Sequence, residues 1–239
     1  MAVFGHRSPE HEATNEAPNF QVERTMRTPA VLVLALSLSS LPALAKDPAL
    51  GATTYTVYEA YMSPAQQPGE ETDAPKVVEK ALGLSNTQPS VPRESRKSRG
   101  YGQLRFAKDL TKAYVEVDIT GVNPDDITMF HIHCGPPGVL GPIIVDFGAD
   151  GSPAKKFVNG KMTLELTNKN VVFVKDMPKG LKPALPESCP AELGFPTQAK
   201  TIASLEYLAK KGVLYFNLHT KAHTFYGEMR GQIYVTQEQ

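Results

Sequence analysis

Residues 130–145, FHIHCGPPGVLGPIIV, and residues 213–223, VLYFNLHTKAH, contain all the histidines that follow residue 11. Each stretch begins with the alternation typical of a β-strand, in which successive side chains point to opposite faces. The side chains of His131 and His133 are therefore expected on one face of a strand, about 7 Å apart. If the fold pairs this strand with the one that carries His219, imidazoles from both strands could bind one metal ion.

Short runs of apolar or alternating residues recur along the chain, separated by turns rich in Gly, Pro, Asn and Asp. This pattern favours an all-β fold, an antiparallel sandwich or barrel with long loops. We predict nine strands, at residues 53–62, 101–106, 113–119, 127–133, 143–147, 161–166, 171–174, 213–218 and 232–235. One amphipathic helix is predicted at 201–210, where Gly212 would end it. Residues 75–84 could form a further short helix.

Residues 26–45, MRTPAVLVLALSLSSLPALA, have the parts of a secretory signal peptide. Arg27 begins the segment, a short apolar stretch follows, and a small-residue cleavage motif precedes Lys46. We predict cleavage after residue 45 and export to the periplasm or out of the cell, with no stable membrane span left in the mature protein. Residues 1–25 are interpreted as a non-native or disordered extension. Residues 46–239 are then one domain.

The charge of the predicted mature chain gives no reason to expect a nucleic acid or membrane partner. Three of the 25 Lys and Arg residues and four of the 25 Asp and Glu residues precede residue 46, so the remainder is close to neutral. Motifs for binding a nucleotide or flavin are absent from the sequence. The Cys-x-x-Cys-His motif of covalently attached haem is absent too.

The two cysteines of the chain, Cys134 and Cys189, both lie in the predicted mature part. An exported protein with an even number of cysteines favours a disulfide, and two separate buried thiols are the alternative. The bond would close a loop of 55 residues and stabilise the fold by about 4 kcal/mol on the chain-entropy model. It would also tie the Pro-rich loop at 178–190 to the residue after His133.

A long excursion at residues 63–100 separates the first two predicted strands. It contains five prolines and ends in the only basic cluster of the chain, residues 93–99. A charged run without interleaved aromatic residues is typical of a solvated, protease-sensitive loop, and that is the interpretation we favour for this cluster.

Two long motifs of the chain resemble the CHRD domain family, which is named after chordin and is widespread in secreted bacterial proteins. The first is the His-Ile-His of residues 131–133 followed by Gly-Pro-Pro-Gly at 135–138. The second is the Tyr-Phe-Asn-Leu-His-Thr of 215–220 followed by Gly-Glu-Met-Arg-Gly at 227–231. The resemblance spans roughly residues 53–235. It implies a Greek-key β-sandwich similar to copper/zinc superoxide dismutase, in a protein outside the cytoplasm.

The resemblance to the dismutases also implies roles for individual residues. His131, His133 and His219 correspond to copper ligands, and Arg230 corresponds to an arginine that guides the anion. The bridging histidine and the additional zinc ligands have no evident counterpart, so a mononuclear site is compatible with the sequence and a two-metal site is not. His223 is a further candidate ligand.

Three polar residues near His219 have more than one interpretation. Glu228 and Arg230 lie two positions apart on a predicted strand, and we favour an ion pair or a backbone clamp there over the role of Arg230 as an anion guide. Asn217 shares a strand face with His219 and could support it or brace a turn.

Three functions are compatible with these patterns. The first is an exported CHRD-type binding protein with a histidine-rich site for one copper or zinc ion. The second is a copper-only, dismutase-like enzyme, in which Arg230 would be the catalytic residue that draws in the anion. The third is a metal-free structural or protein-interaction domain of the cell envelope, in which the histidines only form bracing hydrogen bonds. Of these, we favour binding over catalysis.

Overall fold

A computed structural model describes residues 47–172, 189 and 200–238 of the chain. The described part is mostly β-structure, as the sequence predicted. It contains nine strands: β1 (Tyr55–Met62), β2 (Arg99–Ala107), β3 (Ala113–Thr120), β4 (Ile127–Cys134), β5 (Ile143–Asp146), β6 (Lys161–Leu166), β7 (Leu214–Thr220), β8 (Met229–Gln232) and β9 (Tyr234–Glu238).

Two short α-helices lie close to the positions predicted from the sequence. Helix α1 (Lys76–Leu82) ends at Gly83, whose left-handed backbone (φ 67°) favours glycine. Helix α2 (Ile202–Lys210) begins after Thr201, which accepts a hydrogen bond from the backbone N–H of Ser204. Single 3₁₀ turns occur at Pro48–Ala52, Pro64–Gln66, Glu71–Asp73, Arg93–Ser95, Pro124–Asp126, Pro153–Lys156 and Asn168–Asn170.

The strands form two antiparallel sheets. Sheet A has the order β6-β3-β2-β1-β9, and sheet B has the order β5-β4-β7-β8. Strands β1 and β2 pair along their whole length, from Tyr55 opposite Ala107 to Met62 opposite Gly100, although the excursion separates them in sequence. The arrangement is sandwich-like.

Alternation along the strands places the core between the sheets. In β4, Phe130, Ile132 and Cys134 belong to the apolar core, so the intervening His131 and His133 lie on the other, outer face of sheet B. Every residue of β7 is buried, unlike those of an ordinary surface strand. The outer face of sheet B is therefore covered as well, and the histidines lie under that cover.

Two predicted strands differ from those observed. In the segment predicted at 171–174, Val171 makes only a single bridge to Val145, and residues 173 and 174 lie outside the described part. The strand predicted at 232–235 is instead the junction of β8 and β9, which belong to different sheets. Between them lies the buried Ile233, where the chain crosses from sheet B to sheet A.

The interpretation of the basic cluster as a solvated loop is wrong for two of its residues. Arg96 and Ser98 are buried, because the excursion packs against the loop between β7 and β8. The guanidinium of Arg96 donates hydrogen bonds to the backbone oxygens of Val91, Gly227 and Glu228 at 2.7–3.0 Å. These hydrogen bonds to backbone carbonyls therefore stabilise the buried guanidinium of Arg96.

Several sequence predictions lie outside the described residues: the extension at 1–25, the signal peptide at 26–45 and most of the loop at 178–190. Within the described residues, helices are all too short or too polar to cross a membrane.

Candidate metal centre

Strands β4 and β7 bring three of the predicted histidines together. They pair antiparallel, with His131 opposite Asn217 and His133 opposite Tyr215. His219 lies two positions beyond Asn217 and is therefore the diagonal neighbour of His131 on the same face. Local alternation and strand register alone are enough to gather the three imidazoles.

The three imidazoles form a compact, buried cluster. One ring nitrogen from each of His131, His133 and His219 lies within 4.8 Å of the others. The ring centroids are 5.2 Å apart for His131 and His133, and 5.5 Å apart for His131 and His219. The residues are only 4%, 9% and 4% exposed, respectively. Among the described residues, this is the only cluster of potential ligand atoms that could hold a metal ion.

Two ring nitrogens of the cluster have no hydrogen-bond partner although they are buried. His133 Nδ1 lies 2.8 Å from the carbonyl oxygen of Gly141, which can only accept, so Nδ1 carries the hydrogen. The lone pair of His133 Nε2 then has no donor. His131 Nδ1 also lacks a partner, while its Nε2 lies 3.5 Å from a carboxylate oxygen of Asp146. Unsatisfied buried nitrogens are rare and require an explanation.

His219 is oriented by two hydrogen bonds. Its Nδ1 donates to the carbonyl oxygen of Thr224 at 3.1 Å, which leaves the lone pair on Nε2. The side-chain amide of Asn217 donates to that Nε2 at 3.1 Å and to the carbonyl of Tyr226 at 3.1 Å. Gln67, from the excursion, donates to the amide oxygen of Asn217 at 2.7 Å and fixes its orientation.

Burial keeps the imidazoles of His133 and His219 neutral. Desolvation, together with the neighbouring His131, lowers the pKa of His133 to about 3. The pKa of His219 lies well below its ordinary value for the same two reasons, with His133 contributing as well. The hydrogen bond with His131 lowers the pKa of Asp146. Neutral imidazoles with free lone pairs are the form that binds transition metals.

Tyr215 packs against the histidine cluster, and Arg230 packs against Tyr215. Tyr215 stacks on His133, with ring centroids 5.0 Å apart and planes at 8°, and its hydroxyl accepts from the N–H of Gly141. The guanidinium carbon of Arg230 lies 3.4 Å from the Tyr215 ring centroid. Arg230 is 1% exposed and donates to the carbonyls of Pro136 and Val139, both at 2.8 Å. It therefore clamps the 136–139 turn, which belongs to the same loop as Gly141, the partner of His133.

His223 lies outside this cluster. Its Nδ1 forms a close contact with the carboxylate of Glu228, and its Nε2 lies against the backbone N and O of Val91, at 3.0 and 3.1 Å. Glu228 also accepts a hydrogen bond from Ser98. Burial opposes ionisation of Glu228, but the hydrogen bonds from His223 and Ser98 outweigh it and lower its pKa. Glu228 and Arg230 thus bind different partners and form no ion pair with each other.

The disulfide predicted from the sequence is present. Cys134 and Cys189 are bonded, with Cα atoms 5.1 Å apart. Cys134 directly follows His133 and belongs to the core between the sheets. The bond therefore ties a distant part of the chain to the end of the strand that carries two of the three histidines.

Sequence reasoning missed Asp146, Gln67 and Glu71. Asp146 lies opposite His131 in the pairing of β4 and β5. Only the register of these two strands reveals this contact. Glu71 is 3% exposed, and its carboxylate accepts from the backbone N–H groups of Thr224, Phe225 and Tyr226 at 2.7–3.0 Å. Gln67 and Glu71 both belong to the excursion, where no local pattern indicated contact with a site about 150 residues away.

Comparison with known proteins agrees with the motifs quoted above. The sequence model of the CHRD domain family matches residues 81–233, which is more than half of the chain. The match begins within α1 and includes β2 to β8, whereas the resemblance was expected from residue 53. A comparison with curated proteins gave no match. The chain belongs to the CHRD domain family.

Proposed function

We propose that this chain is an exported CHRD-domain binding protein in which His131, His133 and His219 bind one copper or zinc ion. The observation that carries the proposal is the pair of buried, unpartnered nitrogens, His131 Nδ1 and His133 Nε2. A metal ion would satisfy both lone pairs. The hydrogen bonds of the other ring nitrogens support the proposal as well. The Nδ1 atoms of His133 and His219 bond to backbone carbonyls, as the second ring nitrogen of a metal-binding histidine commonly does.

The donor set fits zinc and copper better than magnesium or calcium. Three imidazole nitrogens are the ligands those transition metals favour, whereas magnesium and calcium favour oxygen. Copper would supply redox chemistry and zinc would not. The low pKa values of His133 and His219 mean that protons do not compete for these nitrogens at neutral pH.

Two observations favour binding over a dismutase-like enzyme. A dismutase needs a path for a small anion and an open position at the metal. All three histidines are at least nine-tenths buried. Arg230, the residue expected to guide the anion, donates instead to two backbone carbonyls and to Gln232, and it is 1% exposed.

Export to the periplasm or out of the cell is part of the proposal. The signal-like segment at 26–45 supports it, as does the disulfide between Cys134 and Cys189, because disulfides persist in oxidising compartments. A protein partner in the cell envelope is compatible with this location. We also propose that the two sheets are joined as in the dismutase-like Greek key.

Metal analysis tests the proposal. The protein purified from the periplasm without an affinity tag, after exposure to copper and to zinc, should contain close to one ion per chain by mass spectrometry. A His131→Ala, His133→Ala double variant should lose it, with affinity lowered more than about a thousandfold because two of three ligands are gone. His223→Ala is the matched control, a buried histidine outside the cluster, and it should retain the metal.

Two results would overturn the metal site. One is the absence of metal from the wild-type protein after both ions are supplied. The other is equal metal content in the wild-type protein and the double variant. Either result would leave the metal-free alternative, in which the histidines only brace the fold and the protein binds a partner of the envelope.

A further inference from the structure

The outer face of sheet A is rich in tyrosine. In β1, Tyr58, Ala60 and Met62 belong to the core, so the alternate positions up to Tyr61 face outward. Tyr61 is 69% exposed and packs against Tyr101 with ring centroids 5.3 Å apart. Tyr55 packs edge-on against Tyr114 at 5.8 Å. Strands β1 to β3 thus place four rings on one face of sheet A, whereas the histidine motifs lie on strands of sheet B.

A concave site of about 790 Å³ lies on this face. Its lining combines hydroxyl, amide and charged groups with one aromatic ring, and it includes Thr54, Tyr55, Glu59, Gln103, Arg105 and Thr236. A volume of this size is typical of a site for a small molecule or a few units of a polymer.

The lining offers hydrogen bonds but no unpaired cation. It contains one carboxylate, Glu59, and one guanidinium, Arg105. Arg105 already pairs with Glu116, and Glu59 accepts from the hydroxyl of Tyr101 at 2.8 Å. An anionic ligand would therefore find no unpaired cation in the lining. The electrostatics therefore disfavour an anionic ligand.

Several groups in the lining retain capacity for further hydrogen bonds. The hydroxyls of Thr54 and Thr236 donate to backbone carbonyls at 3.0 and 3.1 Å, which leaves their oxygens able to accept. The amide of Gln103 has only a long contact, 3.4 Å, to the Tyr101 hydroxyl. The mixture of open donors and acceptors matches a ligand with many hydroxyl groups.

The ring of Tyr55 favours a sugar among neutral ligands with many hydroxyl groups. The face of a tyrosine ring is electron-rich, and it attracts C–H groups that carry a small positive charge. A pyranose sugar presents such C–H groups on its face and hydroxyls around its edge. Tyr55, braced by Tyr114 and by the guanidinium of Arg105 at 5.4 Å, lies in the lining beside the polar groups.

We infer that this concave site on the outer face of sheet A binds a neutral saccharide, as part of a glycan or polysaccharide. The inference is independent of the metal centre, which lies on the outer face of sheet B. Tyr55 would stack on a sugar ring, and Gln103 with the threonine hydroxyls would bind its hydroxyl groups.

Affinity electrophoresis tests the inference. The exported protein is run through native gels that contain hydroxyethylcellulose, glucomannan or dextran, and through a gel with the anionic polymer alginate. We expect at least one neutral polymer to retard it. Tyr55→Ala and Gln103→Ala should each weaken that binding about tenfold, as loss of a central contact does. Both residues are partly exposed, so the variants should fold, and thermal unfolding verifies this. Tyr207→Ala, a surface tyrosine of α2 outside the lining, is the matched control and should bind as the wild type does.

Three outcomes would overturn the inference. The first is no retardation by any of the three neutral polymers. The second is retardation by alginate alone, which would mean that charge governs binding. The third is neutral-polymer binding that Tyr55→Ala and Gln103→Ala leave unchanged. If the two variants instead abolished binding of a purified protein partner and no polymer bound, the face would be a protein interface.

Discussion

The histidine cluster, which includes His219 of β7, and His223, which lies in the loop after β7, are two sites whose chemistry differs. In the cluster of His131, His133 and His219, two buried ring nitrogens have no partner. At His223 both nitrogens are engaged, one with Glu228 and the other with the backbone of Val91. All four residues are similarly buried.

The difference shows that burial does not distinguish a ligand from a structural brace. What distinguishes them is whether the folded chain supplies a partner for each nitrogen. The excursion supplies the partner of His223 through Val91, but it leaves His131 Nδ1 and His133 Nε2 unsatisfied. The His223 site therefore holds the fold together, and the cluster of His131, His133 and His219 is available for a ligand.

The largest expected effect is on stability in acid. The pKa of His133 is about 3 in the folded protein and near 6.5 when unfolded, so the native state binds fewer protons between these values. The contribution of His133 to the free energy of unfolding is therefore fully present above pH 6.5. It falls by roughly 1.4 kcal/mol per pH unit as the pH falls toward 3. His219 adds to the slope. Urea unfolding of metal-free protein at a series of pH values measures it.

Two variants distinguish the contribution of the histidine cluster to this pH dependence from that of the His223 site. His133→Gln should flatten the slope between pH 6 and pH 4.5. Glu228→Gln should leave that part unchanged, because the pKa of Glu228 is lowered and its contribution is lost only below about 4.5. Equal slopes for His133→Gln and the wild type would mean that His133 is not held neutral by burial.

The next effect is the loss of the His223 brace. His223→Ala removes one partner of the Glu228 carboxylate, whose side chain is 11% exposed, and should cost roughly 3 kcal/mol in the free energy of unfolding. Metal affinity, measured by titration of the same protein, should stay within about threefold of the wild type, because no cluster nitrogen changes partner. A drop in affinity comparable to that of His131→Ala would make His223 a ligand after all.

The smallest effect concerns Asn217. Its amide occupies the lone pair of His219 Nε2, which a metal ion would need. Asn217→Ala removes this competing hydrogen bond and should raise metal affinity by up to about tenfold, the equivalent of one hydrogen bond. Competition with a chromophoric chelator measures the change. Gln67→Ala, which only frees Asn217 to rotate, should raise affinity less; lowered affinity in Asn217→Ala would show that Asn217 helps to hold the metal site.

Local patterns were sufficient to predict much of the fold. Alternation identified the strands of both sheets and placed His131 and His133 on one face, because strand periodicity is a property of neighbouring residues. The junction at Ile233 was missed, since alternation does not reveal which sheet a strand joins. The basic cluster was misjudged for a similar reason: the burial of Arg96 depends on the carbonyls of Gly227 and Glu228, far away in sequence.

The candidate site could be predicted only in part. The motifs indicated His131, His133 and His219, which the register of β4 and β7 brings together. The same spacing argument could not separate His223, because a residue in a loop has no fixed direction. Gln67 lies in a stretch without periodicity, so its contact with Asn217 was not predictable from the sequence.

Nuclear magnetic resonance of the histidine ring nitrogens tests the central claim most directly. Zinc is added to metal-free protein labelled with ¹⁵N-histidine, and the ring nitrogens are followed in long-range proton–nitrogen spectra. We predict that one nitrogen each of His131, His133 and His219 shifts, with His131 Nδ1 and His133 Nε2 among them, while both nitrogens of His223 stay unchanged. Spectra in which the cluster nitrogens do not respond to zinc, or in which His223 responds as they do, would contradict the account.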